Sequence, residues 1–363
     1  MRAAVLDAIG SDPVVTEVTA SDLRDGEVLV RVHGVGVCHT DLTVIDGQMP
    51  QQTPVVLGHE GAGVVEALGP GVTELAVGDH VVCSFTSCGS CRRCAADQPA
   101  YCTKFPLLNY AGMRADGSTT LADADQNPVH GNWFGQSSWA THAVATVRNA
   151  VKVDPSLPVE KLGPLGCGLL TGAGAVLNAH RPKPGQSYGV WGLGPVGLAA
   201  IMAAKASGCD PIIGVDPLPA RRELALELGA THVYEPSDDL AKTLVKQTRG
   251  GLDFTLEAVG APAVIRQALV SLASPGSCIT VGFRGPRNPV EIEQGHLLQG
   301  RSLRGVIEGD ADPHELIPRL VAMWADGQFP FDKLITTYPL DEITTAIADF
   351  RAGHVIKPVL LPQ

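Results

Sequence analysis

The sequence predicts an α/β protein, with a β-rich first part followed by a doubly wound parallel sheet. Three observations carry that expectation. The first part is built of β-branched runs bounded by Gly, Pro and Asp. From about residue 170, short apolar strands alternate with helices, the signature of parallel βαβ units. A glycine fingerprint, Gly192-x-Gly194-x-x-Gly197, stands where one of those strands runs into a helix.

The 363 residues suffice for two domains with separate cores. The early strands are read at 28–37 (VLVRVHGVGV), 55–69 (VVLGHEGAGVVEALG) and 78–85 (GDHVVCSF). In the second part SYGVWGLG (187–194) is a strand entering glycine, PVGLAAIMAAKASG (195–208) an Ala-rich helix, and PIIGVD (211–216) a buried strand. ARRELALELGA is a helix with a glycine stop. HVYEP, LDFTLEAVG and SCITVGF read as strands, and LAKTLVKQTRGG and APAVIRQALVSLA as the helices between them. The last stretch, FDKLITTYPLDEITTAIADFRAGHVIKPVLL, offers one helix and a final strand expected to rejoin the first domain. No internal repeat or low-complexity tract interrupts this order.

Composition narrows the function classes. No apolar run reaches membrane-span length, and MRAAVLDAIGSDP has neither the apolar core nor the cleavage site of a secretory signal. Nine cysteines without an export signal imply a reducing, cytoplasmic compartment where thiols bind metal rather than pair. A net charge of -11 argues against a nucleic-acid backbone as partner. Neither nucleic acid nor membrane is expected.

The cysteines fall into two zinc-ligand patterns. Cys88, Cys91, Cys94 and Cys102 form Cys-x2-Cys-x2-Cys-x7-Cys. Four thiolates complete a tetrahedron, so zinc here is structural. The rival is an iron–sulfur cluster, whose runs close after three residues with Cys-Pro. Here seven residues intervene and Thr103 follows Cys102. Unliganded surface thiols are the third reading.

The second pattern is scattered: Cys38 in GVCHTD, His59 in GHE and Cys167 in PLGCG. Alone, Cys38 reads as a small buried hydrophobe and His59 as a hydrogen-bonded core histidine. Together, two thiolates and one imidazole leave a fourth zinc position open for chemistry. His39, Thr40 and Asp41 follow Cys38 and suit a phosphate contact, a hydroxyl relay and a carboxylate behind the ligand histidine. Glu60 follows His59, and glycines around Cys167 let backbone pass close to metal or cofactor.

The glycine fingerprint gains weight from its setting. It opens a helix whose N-terminus suits a pyrophosphate, and Asp216 ends the next strand 19 residues beyond Gly197. A carboxylate there suits the ribose diol of NAD and repels the extra phosphate of NADP. Arg221 and Arg222, just beyond, soften that preference. A purely structural βα turn is the alternative.

These motifs, in this order and at these separations, resemble the zinc-dependent medium-chain alcohol dehydrogenases along the whole chain, most of all the aryl (benzyl-type) members. The resemblance implies a GroES-like β-rich catalytic domain (1–167 and 308–363) split around a Rossmann domain (168–307). It implies two zincs per chain, NAD, and hydride transfer between a primary alcohol and NAD to give the aldehyde. Carried across, Cys38, His59 and Cys167 match the catalytic zinc ligands and Glu60 the carboxylate behind them. Thr40 matches the hydroxyl that bonds substrate oxygen. His39 and Lys357 match basic positions at the pyrophosphate, Thr171 and Val196 residues lining the nicotinamide, and Val281 a backbone contact to it. The family also implies a homodimer or homotetramer formed through the Rossmann sheet, with 289–306 as contact region. Leftover Cys83, Cys209 and Cys278 read as packing residues.

One departure concerns proton transfer. Many members carry a histidine five residues after the first ligand; here the position is Thr43, so the alcohol proton must leave another way. The segment GNWFGQSSWATHA (131–143) matches the stretch lining the alcohol pocket, and Trp133 and Phe134 are read there as walls of a slot for flat aryl or allylic alcohols; core packing is the competing reading. A polyol or thiol-adduct (formaldehyde-type) dehydrogenase stays open as an alternative. A zinc-free quinone reductase and a crystallin-like structural protein fit the intact ligand sets poorly, and the acidic charge and dinucleotide fingerprint argue against a nucleic-acid zinc module.

Overall fold

The computed structural model describes residues 1–362. By internal packing they form two units, each described separately. One comprises Met1–Cys167, Ala311–Leu320 and the chain from Asp332 onward; the other comprises Gly168–Asp310 and Val321–Phe331.

The first unit is organised on the long strand Glu27–Gly36, whose alternating valines pack inward with Val65, Val81 and Ala145. Gly61–Leu68, His142–Thr146 and Lys357–Leu361 all pair antiparallel with it, and His80–Cys83 extends the sheet beside Gly61–Leu68. The terminal strand thus lies against the fold's first long strand, which brings Lys357 beside the segment that ends in Cys38. The expected strand over 55–69 is divided. Val55–Val56 and Gly61–Leu68 belong to different sheets. Gly58 between them takes φ +83°, and a Cβ there would lie 2.2 Å from the Trp139 ring. The break turns His59 out of any ladder and makes it available to a site.

The second unit is a six-stranded sheet with every pairing parallel. In spatial order the strands are His232–Tyr234, Ile212–Val215, Tyr188–Trp191, Leu252–Glu257, Leu272–Thr280 and Arg301–Gly305. Numbered along this unit, that is 3-2-1-4-5-6, the doubly wound dinucleotide-binding order. Tyr188–Trp191 is buried along its whole length and is followed by helix Pro195–Ala206. Order reverses across that strand, so its carboxyl end is the switch point where such sheets bind ligands. The edge strand Arg301–Gly305 escaped the sequence reading because its alternating Arg-Ser-Leu-Arg-Gly carries little apolar signal.

Candidate active site and metal centres

The four-cysteine loop closes on itself. Sγ–Sγ distances are 4.0 Å for Cys88–Cys94, 3.5 Å for Cys91–Cys94 and 4.0 Å for Cys91–Cys102. Thiolates about 2.3 Å from a tetrahedral zinc stand roughly 3.8 Å apart, so the spacing matches the edges of that tetrahedron. All nine cysteines are free. Backbone amides aim at the sulfurs: Cys88 N–H and Lys104 N–H donate to Cys102, and Thr103 N–H to Cys91. Amides of Cys94 and Thr103 draw the Cys91 thiol down to about 5, whereas burial pushes Cys102 up to about 12. A loop that gathers four sulfurs and points amides at them is built for negative charge, which a cation must balance.

The second set comes from three remote segments. Ligand atoms of Cys38, His59 and Cys167 all lie within 4.8 Å of one another. Cys38 caps helix His39–Ile45, and its N–H donates to Asp41 Oδ2 at 3.2 Å. Asp41 is fully buried, and its Oδ1 accepts from His59 Nδ1 at 2.8 Å and from Gly58 N–H at 3.2 Å. With Nδ1 held, Nε2 is the ligand nitrogen, and it is buried without a hydrogen-bond partner. A buried nitrogen so placed beside two thiols fits a metal. The thiol of Cys167 hydrogen-bonds Cys38 and, against burial, lowers it well below the ordinary thiol range. Burial disfavours a charged His59, yet Asp41 and Cys38 hold it well above its ordinary value. The pocket thus favours thiolate beside a positive centre, the charge pattern a dication provides.

In the Rossmann unit, Gly192 has φ +88°, and a Cβ on Gly197 would lie 1.9 Å from Gly192 O, so the turn and helix meet at backbone distance. A Cβ on Gly194 would meet nothing within 4 Å, leaving open space at the helix N-terminus. Asp216 is buried; Oδ2 accepts from Leu193 N–H at 2.8 Å and Oδ1 from Leu218 N–H at 2.9 Å. Its carboxylate is thereby fixed beside the glycine turn. These features fit a dinucleotide.

Residues 24–155 match the model of the alcohol dehydrogenase GroES-like domain, and 195–324 that of the zinc-binding dehydrogenase domain. The geraniol dehydrogenase of Castellaniella defragrans is 46% identical, over 99% of this chain and 97% of that protein. Two crystal structures superpose along the full length. The alcohol dehydrogenase zinc-binding domain protein of Burkholderia ambifaria has TM-score 0.98 and 46% identity, covering 100% of this chain and 99% of the other. The benzyl alcohol dehydrogenase of Acinetobacter calcoaceticus has TM-score 0.96 and 42% identity, with the same coverage.

The chain belongs to the zinc-dependent medium-chain alcohol dehydrogenases.

In this alcohol dehydrogenase, three of the residues singled out by the sequence have defined partners. Lys357 was expected at the pyrophosphate. Its ammonium is buried, 1% exposed, and donates to Glu60 Oε1 at 3.0 Å, Glu60 Oε2 at 2.8 Å and Val37 O at 3.1 Å. Burial disfavours the charged lysine, but the Glu60 carboxylate holds it above its ordinary value. Three protons meet three acceptors, so its charge serves Glu60. Trp133 and Phe134 were expected as substrate-slot walls. Both are buried around the ligand histidine. Trp133 Nε1 donates to Asp41 Oδ1 at 2.9 Å, because a buried indole N–H needs an acceptor. Phe134 stacks on the His59 ring, with centroids 4.3 Å apart at 21°. They form the wall behind the imidazole.

Thr43 donates to Thr40 O at 2.7 Å and is 1% exposed, so it ends no path to solvent. Thr40 is half-buried, its Oγ1 3.8 Å from Cys38 Sγ. His39 is exposed on the first turn of the same helix. In the Rossmann unit of the dehydrogenase, Arg221 Nη1 lies 3.8 Å from Asp216 Oδ2, while Arg222 is spent on the carbonyls of Asp216 and Pro217. Thr171 donates to Glu308 Oε2 at 3.4 Å, and Val196 is the second residue of the fingerprint helix. Val281 N–H donates to Glu257 O at 2.9 Å.

Sequence reasoning missed Glu257. This carboxylate ends a central Rossmann strand; Oε1 accepts the N–H groups of Val259 and Gly260, both at 2.6 Å, and Oε2 accepts Thr280 Oγ1 at 2.8 Å. Burial pushes its carboxyl up. It ties two loops at the carboxyl edge of the sheet. The signal was a glutamate closing a buried strand just before Ala-Val-Gly.

Proposed function

We propose that this dehydrogenase oxidises flat, unsaturated primary alcohols of the aryl or allylic class to their aldehydes. Cys38, His59 and Cys167 hold the catalytic zinc, Cys88, Cys91, Cys94 and Cys102 the structural zinc, and Gly192, Gly194, Gly197 and Asp216 the NAD. The substrate class rests on one observation. Two relatives aligned end to end, at 46% and 42% identity, are a geraniol and a benzyl alcohol dehydrogenase. Geraniol is an allylic and benzyl alcohol an aryl primary alcohol, and both place unsaturated carbon next to the carbinol.

When bound, zinc supplies a Lewis acid that lowers the pKa of the alcohol, and NAD supplies the hydride acceptor. The chain's own residues orient and protect. Asp41 fixes the His59 tautomer and ring. Trp133 and Phe134 keep water from the back of that ring. Thr40 Oγ1 takes the hydrogen bond of the substrate hydroxyl, while Thr43 pins the helix turn carrying it. Asp216 accepts the ribose diol and disfavours NADP. The unit containing Met1–Cys167 is the catalytic domain, and the unit containing Gly168–Asp310 binds dinucleotide. A homo-oligomer built through the Rossmann sheet belongs to the same reading: Arg301–Gly305 is its edge strand, and Leu298 nearby is 73% exposed.

Steady-state kinetics with ethanol, benzyl alcohol, cinnamyl alcohol and geraniol test this, alongside zinc analysis. The expected result is two zincs per chain, NAD preferred over NADP, and kcat/KM about a hundredfold higher for the unsaturated alcohols than for ethanol. Equal values for ethanol and benzyl alcohol would overturn the substrate class.

A further inference from the structure

Between the segments that carry His59 and Cys167 lies a glutamine that the reaction itself does not use. Gln136 is fully buried, 0% exposed. Its Nε2 donates to His59 O at 2.9 Å and to Ser84 O at 3.1 Å. Its Oε1 accepts from Gly61 N–H at 3.0 Å and from Ser138 Oγ at 2.7 Å. A side-chain amide has two protons to give and two lone pairs to fill, and here all four are engaged. Ser84 carries the connection onward, since its Oγ donates to Gly166 O at 2.6 Å, one residue before Cys167. A Cβ on Gly166 would lie 2.1 Å from Cys83 O, so that segment sits flush against the strand leading into Ser84.

The backbone carrying Gln136 is tightly wound to put it there. Phe134 and Ser137 both take φ 52°, and Gly135 takes φ 67°. Left-handed backbone at non-glycine residues is strained and persists only where the surroundings enforce it. The next residues continue the grip: Ser137 Oγ donates to Val56 O, Ser138 N–H to Gly58 O and Trp139 N–H to Leu57 O. The 133–139 loop is thus a template laid along 56–61, and Gln136 also bonds Ser84 on the Cys167 side.

We infer that Gln136 is a positioning residue for the catalytic zinc: it sets the placement of His59 relative to Cys167 and so pre-forms the open site. The inference rests on the zinc assignment proposed above. Its test follows zinc release from the holoenzyme to a chromogenic chelator, in which the two sites give separate phases. Gln136→Leu keeps the volume and removes all four bonds. Ser84→Ala removes only the tie to Gly166. Glu27→Gln weakens the buried Glu27–Arg114 pair, which touches neither site, and serves as a stability control.

Zinc should leave the catalytic site about 10–100-fold faster in Gln136→Leu, and faster by a smaller factor in Ser84→Ala. The structural phase should not change in either. Cobalt substituted at the Cys38–His59–Cys167 site should show shifted d–d bands in Gln136→Leu. Glu27→Gln should lower Tm and leave both phases unchanged. Unchanged release and an unchanged cobalt spectrum in Gln136→Leu would overturn the inference. If that variant does not fold, unchanged release in Ser84→Ala overturns it. An unmodified enzyme with a single zinc would defeat the zinc assignment itself, a result visible before any variant is made.

Discussion

The two metal centres are made of the same chemistry and held in opposite ways. The four-cysteine site is local: its ligands lie within 88–102, three of them only partly buried, and the loop's own amides satisfy the sulfurs. The Cys38–His59–Cys167 site joins two segments near the start of the chain to a third more than a hundred residues further on, and is buried. Its supports are borrowed from across the fold: Asp41 for the imidazole, Lys357 for Glu60, and Trp133 and Phe134 behind the ring. The open site must keep a vacant corner without collapsing, and three ligands alone do not fix a tetrahedron. Rigid surroundings supply the missing constraint.

Removing one ligand from each centre breaks the comparison most sharply. Cys38→Ser should lose the catalytic zinc and lower kcat by about a thousandfold or more, since Lewis-acid stabilisation is worth several kcal/mol, while the structural zinc stays. Cys91→Ser should lose the structural zinc, make 88–102 about tenfold more sensitive to protease, as a local opening would, and leave kcat nearly intact. Zinc analysis with turnover checks both arms. Equal loss of kcat in the two would show that the centres are not independent.

Lys357→Met sharpens the point that only the open site depends on a buried charge pair. It strands the Glu60 carboxylate, fully buried beside the ligands. Stability should fall by about 3–5 kcal/mol, the cost of removing one partner from such a pair. Denaturant unfolding measures it, and a loss under about 1 kcal/mol would mean Glu60 finds another partner.

Acid dismantles both centres as their ligands take up protons, so the protein's own acid sensitivity has to be separated out. His180 provides the handle. Burial, with Arg304 nearby, holds it down at about 3, and its Nδ1 meets Tyr188 OH at 2.8 Å. The folded pKa lies below the unfolded one, so His180 adds stability above about pH 6.5 that is lost progressively as pH falls toward 3. At pH 5 the loss relative to pH 7 is about 2 kcal/mol. His180→Phe should remove that share of the decline and leave zinc release as the remaining acid effect. An unchanged pH slope would show that His180 is not its source.

Much of the fold was legible because its signals are local. The Rossmann strands and helices alternate with periods a short window captures, and the fingerprint Gly192, Gly194 and Gly197 needs only adjacent backbone. The edge strand Arg301–Gly305 was not legible, because an edge needs little apolar character. At the site, residue types named the ligands, but the partners of Lys357, Trp133 and Phe134 were not legible. Whether a lysine meets a phosphate or a carboxylate depends on which strand it lands beside, and Lys357–Leu361 lands against Glu27–Gly36. Gln136 carried no sequence signal at all, since its four partners, His59, Gly61, Ser84 and Ser138, are gathered from 59–61, from Ser84 and from its own loop.

By itself, then, the sequence determined what the metals can be: thiolates and imidazole in those numbers select zinc, and a carboxylate after the glycine turn selects the ribose of NAD. Only the tertiary structure decided how the open site is held. Its supports are buried polar groups that must find partners once water is gone, and which partner each finds depends on the packing of distant strands and loops.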